Sequence, residues 1–65
     1  MKVVFDPRTD TVTMELRPGP VAESDEGQPG VILDYDAEGN LIGIEILDAS
    51  KRIPQARSLE FQVAG

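Results

Sequence analysis

The residues best suited to chemistry are acids spaced as they are in a calcium-binding loop. Asp34, Asp36 and Glu38 match loop positions 1, 3 and 5, and Glu45 matches position 12. Calcium takes about six or more oxygen ligands, and Gly39 at position 6 would allow the sharp turn that brings them together. The spacing therefore makes a weak divalent-cation site at Asp34, Asp36 and Glu38 one alternative function.

The same residues also fit a β-hairpin, and we favour this structural role because apolar strands flank them where a calcium loop has helices. Asp36 opens the turn, and Gly39 takes the left-handed position at which a side chain is penalised. Counting outward from Asp36 opposite Asn40 predicts that Asp34 and Glu45 lie on opposite faces of the hairpin. In that register Glu45 cannot close a cation loop.

The predicted register makes both faces of this hairpin apolar. It pairs Val31 with Glu45, Ile32 with Ile44, Leu33 with Gly43 and Asp34 with Ile42. One face carries Ile32, Ile42, Ile44 and Ile46, and the other carries Val31, Leu33, Tyr35, Leu41 and Leu47. A chain of 65 residues cannot easily cover two apolar faces, so we expect a homodimer.

Alternation and turn residues predict the elements around this hairpin. Residues 2–5 and 11–16 form a first antiparallel hairpin, because β-branched and alternating apolar residues flank a turn that contains Pro7. Residues 21–26 form a short edge strand, and the loop after it lacks apolar residues.

The C-terminal part is predicted to contain one helical turn and one strand. The carboxylate of Asp48 caps a helix through residues 49–52, which Pro54 prevents from continuing. Leu59, Phe61 and Val63 alternate with polar residues and predict a strand at their positions. The fold class is therefore mainly β: a single small domain, residues 1–65, of two antiparallel β-hairpins, a short helical turn and a C-terminal strand.

The charge pattern points to a protein partner. The net charge is −6, and no lysine or arginine occurs between residues 18 and 50. Such a stretch repels phosphate backbones and anionic lipid, so we expect neither nucleic-acid nor membrane binding. Glu23, Asp25 and Glu26 are the candidate residues for binding a basic protein partner, although acids also serve simply to keep a β protein soluble and apart from its copies.

A second possibility for the acids is contact with another copy of the chain. Lys51, Arg52 and Arg57 follow the acidic region, and the first two complement the dipole at the end of the predicted helix. If this basic end meets the acidic middle of a second copy, the result is a charge-complementary homodimer.

The composition argues against catalysis. The chain contains no cysteine and no histidine, which removes thiolate and imidazole nucleophiles, bases and zinc ligands. The serines therefore have no histidine to activate them, and no glycine-rich loop is free of acids. We expect no enzyme activity and no cofactor. Without a signal-like apolar segment or a bilayer-length apolar run, we expect a cytoplasmic protein.

Three segments resemble a family of small prokaryotic proteins. They are residues 3–7, VVFDP, residues 29–36, PGVILDYD, and residues 39–51, GNLIGIEILDASK, of which the last is the most specific. The chain resembles the domain-of-unknown-function family 2283 over nearly its whole length. The resemblance implies no catalytic residues, and it implies the extent of the domain more than any activity. An antitoxin-like binding role is a conjecture that the resemblance invites.

Overall fold

The computed structural model describes all 65 residues, and five of its elements form one antiparallel sheet. The strands are β1 Lys2–Asp6, β2 Thr11–Glu15, β3 Glu23–Gln28, β4 Val31–Tyr35 and β5 Leu41–Ile46, and the helix is α1 Ala49–Arg52. The order across the sheet is β1-β2-β5-β4-β3, so the two predicted hairpins, β1–β2 and β4–β5, lie side by side. No helix is long and apolar enough to cross a membrane.

The predicted edge strand exists, but it begins and ends two residues later than expected. The prediction placed it at residues 21–26, whereas β3 extends over Glu23–Gln28 and pairs with β4. Every residue of β3 is exposed. A fully exposed polar strand has no apolar periodicity, so the sequence gives no signal for its bounds.

The predicted register of the second hairpin is wrong by one residue over most of its length. The turn is as expected: the N–H of Asp36 donates to the carbonyl of Asn40 at 3.0 Å, and Gly39 has a φ of 83°. Tyr35 still pairs with Leu41, but the next pair is Asp34 with Gly43. One residue of β5 is therefore unpaired, which is a β-bulge, and a bulge shifts every later pair by one position.

The bulge sorts the side chains into one apolar face and one polar face. Paired residues share a face, so Leu33 and Ile44 lie with Met14, whereas Asp34 and Glu45 lie on the opposite side. The expectation of two apolar faces is therefore wrong. The apolar face carries Val3, Phe5, Val12, Met14, Val31, Leu33, Tyr35, Ile44 and Ile46, and the polar face carries Lys2, Val4, Thr13, Glu15, Ser24, Ile32, Asp34, Gly43 and Glu45.

The segment after α1 covers only part of the apolar face. Ile53, Ala56 and Leu59 line an apolar groove of about 160 Å³ with residues of β1, β2 and the end of β5. Arg57 lies 5.4 Å from the centre of the Phe5 ring. No residue of β3 or β4 lines the grooves formed by this segment, and Leu33 and Tyr35 of β4 are half-buried.

The predicted C-terminal strand is wrong. Residues 59–63 follow β1 in the opposite direction, because Leu59 lines a groove with Val3 and Phe61 lines one with Met1. No backbone hydrogen bond joins this segment to β1, so it is not a strand. Alternation of apolar and polar residues is only one property of a β-strand. A strand also needs backbone hydrogen bonds to a neighbouring strand, and the alternation does not supply them.

Candidate interaction surface

The three acids predicted to bind a partner all lie on β3, the polar edge of the sheet. Glu23 pairs with Tyr35 and Asp25 with Leu33, so both side chains stand on the apolar side of the sheet, at its β3 rim. Neither carboxylate takes part in a hydrogen bond or an ion pair within the chain, and the one ion pair joins Arg8 to Asp6. Glu23 and Asp25 are therefore free to bind a cation from outside.

Glu26 differs from the other two acids because the fold uses it. Its carboxylate accepts a hydrogen bond of 2.8 Å from the N–H of Gly30, which closes the turn between β3 and β4. Arg52 donates to the carbonyl of Pro29 in the same turn, so this arginine ties α1 to the sheet. The structure thus brings the candidate residues together on one strand but leaves only Glu23 and Asp25 uncommitted.

A row of side chains crosses all five strands on the polar face. The pairs place Lys2, Glu15, Gly43, Asp34 and Ser24 next to one another in the order of the strands. Asp34 lies over the glycine, since a Cβ built on Gly43 would come within 3.4 Å of the Asp34 Oδ2 atom. The glycine therefore makes room for the carboxylate.

Asp34 is one of the few buried residues, and its carboxyl group has two partners. It is 7% exposed, and the hydroxyl of Ser24 donates to its Oδ1 atom at 2.6 Å. A hydrogen bond with Asp34, together with partial burial, raises the pKa of the Glu45 carboxyl group. The expectation that Asp34 and Glu45 lie on opposite faces is wrong, because the bulge brings them to the same face.

Asp36, the second acid of the calcium-loop pattern, serves the hairpin turn. The Asp36 carboxylate accepts hydrogen bonds from the N–H groups of Glu38 and Asn40, both at 2.9 Å, and from the Asn40 amide at 3.0 Å. The Asn40 side-chain hydrogen bond is the largest cause of a lowered Asp36 pKa. Asp34 instead accepts a hydrogen bond from Ser24, and no group of three or more acids is placed to hold a metal ion.

Sequence reasoning also missed the residue that caps the helix. Asp48 has a left-handed φ of 51° and makes no side-chain cap, so its predicted role is wrong. Instead Asp10, in the turn between β1 and β2, accepts from the N–H of Ala49 through its carbonyl and from Ser50 through its carboxylate. Its contact lies 40 residues away, beyond the reach of any local pattern.

Comparisons with known proteins agree with the resemblance seen in the sequence. A family model described as "Protein of unknown function (DUF2283)" matches residues 2–50, which include all five strands. No curated protein and no solved structure matches the chain. The match covers more than half of the chain, and the segment from Lys51 onward lies outside it. The protein therefore belongs to the DUF2283 family.

Proposed function

We propose that this protein is a non-catalytic interaction module that binds a basic protein surface through Glu23 and Asp25. The observation that carries the proposal is the exposure of two unpaired carboxylates on the edge strand β3. An edge strand also offers free backbone groups, and a cationic extended segment that pairs with it gains hydrogen bonds and charge contacts together.

The charge distribution supports a basic partner. No lysine or arginine occurs between residues 18 and 50, so β3, β4 and β5 carry no positive charge of their own to neutralise Glu23 and Asp25. Opposite charges on the partner would speed association and select against acidic proteins. Binding of this kind weakens with salt, because the contacts are exposed.

We propose a protein without catalytic activity because the one close pair of carboxyl groups, Asp34 and Glu45, is not placed to act on a substrate. Asp34 is 7% exposed and accepts a hydrogen bond from the Ser24 hydroxyl, so a substrate has little access to it. The chain has no histidine or cysteine to serve as a base or nucleophile nearby.

The test is capture of partners from a lysate of the source cell by three tagged forms of the chain. The forms are wild type, Glu23→Gln with Asp25→Asn, and a control that removes the same charge elsewhere, Glu38→Gln with Glu60→Gln. We expect wild type and control to retain a basic protein in stoichiometric amount and to release it as the salt concentration rises. The β3 variant should lose it. Equal retention by the β3 variant, or recovery of no protein at all, would refute the proposal.

A further inference from the structure

The chain exposes more surface than a folded monomer of its size should. Its accessible surface is 5091 Å², whereas the scaling of surface with mass gives about 4,100 Å² for a monomer of 7.1 kDa. Its extents of 34 × 34 × 19 Å describe a flat slab. The radius of gyration is 12.6 Å, against about 11 Å for a compact chain of this length. The surplus of about 1,000 Å² matches the roughly 800 Å² that each partner buries in a standard interface.

The apolar face and the segment beside it contribute to this surplus. The open half of the apolar face, defined as Leu33 and Tyr35 of β4 with Ile44 of β5, is half-buried and lines none of the grooves formed by the C-terminal segment. Phe61 and Val63 at the other side of the sheet are 72% and 81% exposed. An uncovered half and an unburied apolar segment within one small chain mark an interaction surface.

We propose that two copies of the chain stack apolar face against apolar face, related by a two-fold axis parallel to the strands. This axis reverses the strand order, so β1 of one copy lies over β3 of the other. The C-terminal segment of each copy, which follows β1, then covers the open half of its partner. The inference goes beyond the proposed function, because it concerns a second copy of the chain, whereas the proposed function concerns a different, basic protein.

The charges at the two rims of the apolar face are complementary in this arrangement. Glu23 and Asp25 stand at the β3 rim, and Arg57 lies over Phe5 at the β1 rim. Phe5, Val12, Ile46, Val31 and Gln28 pair in one row across the sheet. Reversal of the strand order therefore brings Arg57 of each copy to the β3 rim of the other near Gln28, and the nearer of the two acids is Asp25. A two-fold axis makes this contact twice, once at each rim. The opposite stacking, β1 over β1, would leave both rims unpaired.

The polar face offers a second copy much less. Its centre carries Glu15, Asp34 and Glu45, so two such faces would bring like charges together. Val4 and Ile32 are the paired apolar residues there, and Val21 and Ile42 line a groove with Glu15 and Asp34. The apolar face is therefore the one that a second copy covers.

Sedimentation velocity of the purified full chain, from about one to several hundred micromolar, tests the stacking. We expect a species of about twice the 7.1 kDa of one chain. Leu33→Lys should weaken the dimer at least about tenfold, since it places a charge in the open half, whereas Val4→Lys on the polar face is the matched control and should leave the dimer intact. Phe61→Ser should weaken the dimer as well, and because Phe61 is 72% exposed, this substitution should leave the fold intact.

A charge exchange tests the orientation of the two copies. Arg57→Glu alone should weaken the dimer, and adding Asp25→Arg to the same chain should restore it. A chain that stays at 7.1 kDa at every concentration overturns the stacking, as does a dimer indifferent to Leu33→Lys and Phe61→Ser. Neither result touches the proposed function, which the lysate experiment decides through a partner that is a different protein.

Discussion

The Asp10 carboxylate accepts two hydrogen bonds from Ser50, one of 3.0 Å from its N–H and one of 2.7 Å from its hydroxyl. The carbonyl of Asp10 also accepts from the N–H of Ala49 at 2.8 Å. The turn of the first hairpin thus holds the start of α1, and α1 leads into the segment that covers the β1 half of the apolar face. The cap is therefore part of what positions the interaction surface.

The cap predicts a difference between two aspartates that share a left-handed backbone. Asp10 and Asp48 have φ angles of 54° and 51°, so glycine relieves the same strain at both positions. Only Asp10 makes side-chain hydrogen bonds to the helix. We expect Asp10→Gly to be about 2 kcal/mol less stable than Asp48→Gly in urea unfolding, the net value of two such hydrogen bonds. Equal stability of the two variants would show that the cap does not contribute.

The approach of Asp34 to Gly43 predicts the effect of a single methyl group. A Cβ at Gly43 would lie 3.3 Å from the carbonyl oxygen of Met14 and 3.4 Å from Asp34 Oδ2. Gly43→Ala should therefore lower the free energy of unfolding by about 1–2 kcal/mol, as overpacking does. The control is Gly27→Ala on β3, where the nearest atom is 4.0 Å away. It should be neutral or slightly stabilising. The prediction fails if urea unfolding gives both variants the same free energy.

The carboxyl pair predicts how stability changes with pH. Because the pKa of Glu45 is raised in the folded chain above its ordinary 4.5, the folded state holds more protons than the unfolded state just above that value. The contribution of Glu45 is fully present below pH 4.5 and is lost as the pH rises through the folded pKa. From pH 4.5 to 7, wild type should lose stability relative to Glu45→Gln, as measured by urea unfolding. The stability of the control Glu60→Gln should change with pH as that of wild type does. If the stability of Glu45→Gln also changed with pH in the same way as wild type, the interaction of Glu45 with Asp34 would be refuted.

Asp36 predicts the opposite pH dependence. Its hydrogen bonds from the turn lower its pKa below the ordinary 3.8, so its contribution to stability is present above that value and is lost as the pH falls through the folded pKa. Asp36→Asn should melt at a lower temperature than wild type at pH 7, and the gap should narrow below pH 3.8. Glu38→Gln, in the same turn, should melt like wild type at both pH values. A gap independent of pH would contradict the role of the Asp36 charge.

Local patterns were enough to predict most of the fold. Both hairpins, the left-handed Gly39 and the short helix follow from alternation and turn residues, which act over a few positions. The bulge in β5 could not be predicted from these local patterns, because β5 also pairs with β2 of the other hairpin. At the bulge, the carbonyl of Ile42 accepts hydrogen bonds from the N–H groups of Leu16 and Arg17. One extra residue then exchanges the faces of every residue beyond it.

The candidate surface was predictable in composition and not in arrangement. The sequence identified Glu23, Asp25 and Glu26 as a group of acids without bases nearby, and the structure places all three on β3. It could not show that Glu26 closes a turn, because Gly30 serves equally well in a loop without that hydrogen bond. Nor could it show that the apolar face has a covered half and an open half, which depends on the path of the C-terminal segment.

Mapping the contact surface residue by residue tests the central claim most directly. Amide resonances of the uniformly ¹⁵N-labelled chain would be followed as the protein is diluted from several hundred micromolar to a few micromolar. We predict shifts at the open half of the apolar face, Leu33, Tyr35 and Ile44, and at Phe61, with Val4 and Thr13 on the polar face unchanged. Shifts confined to the polar face, or none at any residue, would contradict association through the apolar face.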